Sequence, residues 1–198
     1  MTQDTRDRLV EAALEALRTK GFAGASARTI ASLAGVNPGL IFYYFGTLDE
    51  LLIEALRQSS EERLRRYRPA IEQVRTAREL VVALREIYRE DIESGHIRVV
   101  SEMVSGSVAR PEMGERVMAL MEPWIALAEA SVERVLGDSP VSALASARDL
   151  AFAGVTFYLG ANLISHLGSD PEAIDRLLVG AERAAGLLEL LGGGAGVE

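Results

Sequence analysis

The chain has no cysteine, which excludes a disulfide framework and a thiolate metal site and suits a reducing compartment. Basic residues are scarce too. The 21 Lys+Arg stand against 29 Asp+Glu, a formal net charge of −8, which at first argues against a polyanionic partner. Long apolar runs are also missing. The most apolar stretch, Leu150 to Ser165, carries Thr156 and Asn162 and falls short of the ~20 residues needed to span a bilayer. It is expected as a buried helix, with no membrane partner. The opening text MTQDTRDRLVEAAL is charged from residue 4 and lacks the apolar block of a secretory signal, so a cytoplasmic location is expected. No Ser/His/Asp or Cys/His pairing, glycine-rich phosphate loop or pair of carboxylates in an apolar setting is present. His96 and His166 lie far apart, without metal-ligand spacing. An enzyme is therefore set aside, and neither a metal nor a cofactor is expected.

What is present is helix. At 198 residues and 48% hydrophobic content, the chain can bury a substantial core in one domain plus a small appended one. Apolar residues recur at spacings of three and four throughout, predicting an all-α fold of about nine helices. Leu9, Val10, Ala13 and Leu17 form a stripe ending at Gly21. Ser26 can cap a short helix over 27–34 that stops at Gly35. Asn37-Pro38 is a cap plus a first-turn proline for a third helix through Tyr44. Thr47 with Glu50 has the form of a capping box for a fourth helix, expected to end at Pro69. Longer helices are expected at 77–94, 97–108, 112–136, 140–167 and 171–191, the last two opened by Ser139-Pro140 and Asp170-Pro171. Pro123 either kinks the helix that contains it or divides it.

The negative charge is uneven. Residues 1–68 hold 10 Lys+Arg against 9 Asp+Glu, whereas residues 69–198 hold 11 against 20. The first part can therefore face phosphate while the second stays soluble. Helices 27–34 and 38–44 are too close in sequence for a wide loop and must cross steeply, as in a helix-turn-helix. Ala31, Gly35 and Ile41 supply its small contact residue, its bend and its inward apolar residue, with Val36, Phe45, Phe22 and Leu17 closing the core. Ile41 and Phe45 share a face at i, i+4, which turns Tyr43 and Tyr44 toward solvent. Phe42 is expected in the core. Exposed tyrosines on such a helix can stack on sugars and donate to phosphate, and helix N-termini attract the same anion.

On these caps, glycines and aromatics, the text TRDRLVEAALEALRTKGFAGASARTIASLAGVNPGLIFYYFGTLDELLIEAL, residues 5–56, resembles the tetracycline-repressor (TetR) family of transcriptional regulators. The resemblance implies a helix-turn-helix DNA-binding domain at 1–47 and a larger helical domain at 48–198 that dimerises and binds a small effector, with 48–68 as connector. By position it implies phosphate contacts from Ser26 and Arg28, and base-edge contacts from Asn37, Pro38, Gly39 and Leu40. Tyr43, Tyr44 and Thr47 would hold the sugar-phosphate strand. Asn37 is equally accounted for as a cap and Arg28 as a solvated charge. Phe42 stands where the family often has tyrosine, and Leu48 where it very often has lysine; both changes remove phosphate contacts.

In the larger part, Met103, Met121, Trp124, Phe157, Tyr158 and Asn162 are candidates to line a pocket for a small hydrophobic effector, although packing alone accounts for Met121 and Trp124. Asn162, a polar residue in an apolar run, needs partners within a pocket or across a subunit interface. Small residues let helices approach closely. The stripes Ala151, Gly154, Tyr158, Ala161 and Ile174, Leu178, Ala181, Ala185 are therefore candidates for a homodimer interface, or else cover the chain's own core. An isologous dimer would place two recognition helices one DNA turn apart on a palindromic duplex operator. The resulting expectation is a homodimeric repressor released by an effector. The alternative is a DNA-binding or DNA-organising regulator controlled by a protein partner.

Overall fold

The computed structural model describes residues 2–137, 139–165 and 172–192. Among these, every regular element is helical: α1 (Thr2–Gly24), α2 (Ala27–Ala34), α3 (Gly39–Phe45), α4 (Leu48–Gln73), α5 (Ala77–Ser94), α6 (His96–Ser107), α7 (Pro111–Leu136), α8 (Ala147–Ser165) and α9 (Ala173–Gly192). The chain forms two compact units, one from residues 1–63 with 94–121, the other from 64–93 with 122–198. No described helix is long and apolar enough to cross a membrane.

The first unit is built on the stripe of α1. Leu9, Ala13 and Leu17 are fully buried together with Ile30, Ile41, Leu51 and Met103, and Phe22, Val36 and Phe45 pack against them. The stripe stops at Gly21, whose φ of 70° is non-helical. The freed Phe22 N–H donates to the Glu102 carboxylate on α6 at 2.8 Å, and α1 packs against both α2 and α6. Two ion pairs tie α4 to this unit's share of α7 and to the residue before it. Arg116 holds Glu50 bidentately at 2.6 and 2.7 Å, and Arg110, just ahead of α7, places one guanidinium nitrogen 2.9 and 3.1 Å from the two Asp49 carboxylate oxygens. His96 is buried, with Nδ1 3.0 Å from the Ser59 hydroxyl.

In the second unit, Tyr67, Ile71 and Leu127 pack with Trp124 and Ile87, and Val74, Leu80 and Val132 with Ala147 and Leu150. Arg85 clasps Asp175 (2.7 and 3.0 Å) and Arg78 clasps Glu182 (3.1 Å), joining α5 to α9. Arg148 joins α8 to Glu122 and Glu129 of α7, at 2.8 and 3.0 Å.

Two expected boundaries are corrected. Helix α4 runs through Pro69 to Gln73. A proline inside a helix costs about 3 kcal/mol; here the burial of Ile71 and Val74 past it offsets that cost, and Arg134 and Arg75 donate to carbonyls of the final turn. Ser139-Pro140 opens a single 3-10 turn, Pro140–Ala143, rather than a long helix. Helix α8 begins at Ala147, where Ser146 Oγ accepts from the Asp149 N–H at 3.1 Å. Pro123 lies inside one continuous α7, so it does not divide that segment. Asp170-Pro171 and His166 lie outside the described residues.

Candidate nucleic-acid interface

Each turn of the helix-turn-helix is fixed by a side chain the sequence supplies locally. Ser26, in extended backbone, accepts from the Thr29 N–H at 3.2 Å and starts α2. Gly35 ends that helix at φ 64°, a left-handed conformation that glycine adopts without steric cost. The Val36 N–H then returns to the Ala31 carbonyl at 2.9 Å, a Schellman closure, and Arg8 donates to the Ala34 carbonyl. Asn37 Oδ1 accepts from the Gly39 N–H at 2.8 Å, so the capping role is realised at Asn37. Thr47 Oγ1 accepts from the Glu50 N–H at 3.1 Å. The reciprocal half of the expected capping box gives way to the pair with Arg116, whose hydrogen bonds hold the Glu50 carboxyl below the usual carboxylate range.

The outer face of this unit carries the polar groups that the resemblance singles out. Ser26, Arg28, Asn37, Pro38, Gly39, Tyr43 and Thr47 are all exposed, and Leu40 is half-buried against the core. Tyr43 is 76% exposed, while Ile41 on the opposite side of α3 is fully buried. The tyrosine rings at 43 and 44 meet edge to face, 4.9 Å between centroids.

Two aromatic placements are corrected. Tyr44 is half-buried against the core, and Phe42, expected inside, is 52% exposed. At about 100° per residue, positions 42 and 44 lie symmetrically about 80° to either side of the Ile41–Phe45 direction. Pattern alone does not decide which of them tips inward. Phe42 is thus an outward apolar group beside Tyr43 that sequence reasoning placed in the core, and the available signal was this symmetry. Leu48 is partly buried against the core, which agrees with its lacking a lysine's phosphate contact.

Phe45, half-buried, lies under the Arg6 guanidinium at 5.1 Å. Arg6 also binds Glu54 of α4 at 2.8 Å. Hydrogen bonds from Arg57, Arg6 and Gln58, the first the strongest, outweigh burial and bring the Glu54 carboxyl down to about 2. The aromatic end of α3 is thereby fixed to both α1 and α4. What results is a rigid surface with hydroxyls, an amide, a guanidinium and a phenol as donors, and rings able to stack.

The candidates in the larger part are dispersed. Met103 is fully buried in the first unit's core, and Met121 packs against it. Trp124, Phe157, Tyr158 and Asn162 belong to the second unit. There Trp124 packs beside Tyr67, Asn162 is buried, and Phe157 is 41% exposed. Of the interface candidates, Ala151, Ala161, Ile174 and Ala185 are buried within the chain itself, Tyr158 and Leu178 are half-buried, and Gly154 and Ala181 are exposed.

Comparison with known proteins agrees with this geometry. Residues 9–55 match bacterial regulatory proteins of the tetR family. The HTH-type transcriptional repressor NicS of Pseudomonas putida is 30% identical over 121 residues, 58% of this chain and 56% of NicS. The chain spans just over half, 56%, of the length of the first curated relatives it matches. A Rhodococcus TetR-family transcriptional regulator shares the fold, with a TM-score of 0.72 over 92% of this chain and 98% of its own at 21% identity. The multidrug binding protein EbrR, solved in complex with imidazole, gives a TM-score of 0.62 at 27% identity over 89% of this chain and 93% of its own. Residues 9–55 thus carry a helix-turn-helix of the tetR type, and the curated relatives that the chain resembles over about half their length are helix-turn-helix transcriptional regulators.

Proposed function

We propose that this protein is a homodimeric repressor that binds a palindromic operator through α3 and is released by a small-molecule effector. The observation that carries the DNA-binding part is the polarity of α3, with Ile41 fully buried and Tyr43 projecting into solvent, in a unit whose α2 and α4 both start on capping hydroxyls. In this reading residues 1–47 contact DNA. Residues 48–198 bind the effector and dimerise, and residues 48–68 of α4 transmit the change.

The dimer is supported by apolar side chains on α8 and α9 that are exposed among the described residues: Phe152 and Leu163 on α8, with Leu177 and Leu187 on α9, are about half exposed or more. A Cβ added at Gly154 or Gly180 would meet nothing within 4 Å, so a partner's helices have room to approach there. A two-fold dimer reading a palindrome presents its two recognition helices one turn of duplex, ~34 Å, apart. Release by an effector is supported by the likeness to EbrR, described as a multidrug binding protein, and repression by the likeness to NicS. Differential affinity of an effector for the two states, on the order of 1–3 kcal/mol, is enough to shift operator occupancy.

The test is selection of bound fragments from random and genomic DNA, with the stoichiometry read by analytical ultracentrifugation. A palindrome with half-sites one turn apart, bound by two chains per site, is expected. Enrichment of no sequence, or of a single unrepeated half-site bound by one chain, would overturn the reading.

A further inference from the structure

Base selection by α3 has few chemical means open to it. Residues 37–47 contain no Lys, Arg, His, Asp, Glu or Gln. In the major groove a guanine is read chiefly by a bidentate Arg or Lys, a cytosine by a carboxylate, and an adenine by Asn or Gln. The one amide in this segment is Asn37. Its Oδ1 already accepts from the Gly39 N–H at 2.8 Å, and that is the oxygen a bidentate adenine contact would use. The exposed Tyr43 and Thr47 carry hydroxyls, which both donate and accept and so fit phosphate and every base edge alike.

Pro38 and Phe42 are the other exposed side chains of the segment, and the phenyl ring is the larger apolar face. Phe42 is 52% exposed, on the flank of α3 opposite the half-buried Tyr44. A phenyl ring has no hydrogen to donate to phosphate. It gains by covering apolar surface, and the base edges of the major groove offer one apolar group, the C5-methyl of thymine. We infer that Phe42 is the base-selecting residue of α3, its ring covering the methyl group of one thymine in each half-site. The inference rests on the reading that α3 binds the operator, and it adds the base that is read and the residue that reads it. The hydroxyl that tyrosine would supply at position 42 is thus replaced by selectivity for a methyl group.

Deoxyuridine, which is thymidine without that methyl, tests this. In a fragment selected by the full chain from random DNA, each thymine of the half-site is replaced in turn, in both half-sites, and affinity is read by fluorescence anisotropy. Replacement at one position is expected to weaken binding about fourfold for one half-site and more than about tenfold for both. Phe42→Ala is expected to bind the thymine and uracil forms within about twofold of each other at that position. The ratio compares two DNAs on one protein, so a general loss of affinity in the variant cancels. Should Phe42→Ala fail to fold, Phe42→Gln, of comparable length and without the apolar face, gives the same comparison. A selected operator in which no thymine methyl matters would overturn the inference and leave operator binding standing. A thymine-to-uracil ratio in the variants equal to that of the parent would overturn the assignment to Phe42. Enrichment of no duplex sequence would overturn both readings.

Discussion

Replacing Tyr43 by alanine separates recognition from folding, and the expected size of each effect follows from the surroundings. Tyr43 is 76% exposed, and its ring contact is the edge of Tyr44. Such a pair contributes about 0.5–1.5 kcal/mol, with the lower end apt for an exposed ring. A domain of this size loses roughly 2–4 °C in Tm per kcal/mol, so Tyr43→Ala is expected to melt within a few degrees of the parent. Ile41, one turn face away, is fully buried. Ile41→Ala is expected to cost about 2–5 kcal/mol through lost burial and a cavity, roughly 4–20 °C. On DNA the order reverses. A hydrogen bond to a charged phosphate contributes about 1.5–3 kcal/mol, and a dimer loses it twice, so Tyr43→Ala should weaken operator binding on the order of 100-fold or more. Circular dichroism melting and fluorescence anisotropy on a selected operator fragment give the two numbers. Operator affinity within about threefold of the parent, or a melting temperature for Tyr43→Ala as low as that of Ile41→Ala, would refute the reasoning.

The His96 imidazole is pushed down to about 3 from 6.5, first by burial and then by the Arg63 charge. Below pH 6.5 the unfolded chain takes up a proton that the folded one refuses, so stability is full above that pH and falls toward pH 3 by at most about 5 kcal/mol. Urea midpoints between pH 7 and 4 should fall more steeply for the parent than for His96→Gln, and parallel curves would count against this account. Leu48 occupies the position where lysine is common in the family, so the log-log salt slope of operator binding should be shallower by about 0.9 per half-site than for Leu48→Lys; equal slopes would contradict the assignment. Leu177→Glu places a charge on the apolar face of α9 and should shift sedimentation from dimer to monomer while the helix content is retained. A dimer unaffected by that substitution would move the interface elsewhere.

The helix-turn-helix was legible because its determinants are local. Ser26, Asn37 and Thr47 bond amides two or three residues ahead, and Gly35 carries the left-handed turn itself, so three to six residues of text suffice. Phe42 was misplaced because seven residues make barely two turns, too few to set the phase of a stripe. Pro69 was read as a stop on local grounds, and the burial of Ile71 and Val74 overrides it from partners distant in sequence. The phenol bonds to the buried Asp91 left no pattern at all. Tyr67 and Tyr158 lie 24 and 67 residues from it, and only the convergence of α4, α5 and α8 makes them its neighbours.

The central claim, that α3 is the helix that reads the operator from the major groove, is tested most directly by photocrosslinking. An operator carrying 5-iododeoxyuridine at one thymine of a half-site places the reactive carbon in the major groove, and mass spectrometry of the digested adduct names the residue attached. The account predicts attachment within residues 37–47. Attachment confined to α8 or α9, or to α1 alone, would contradict it.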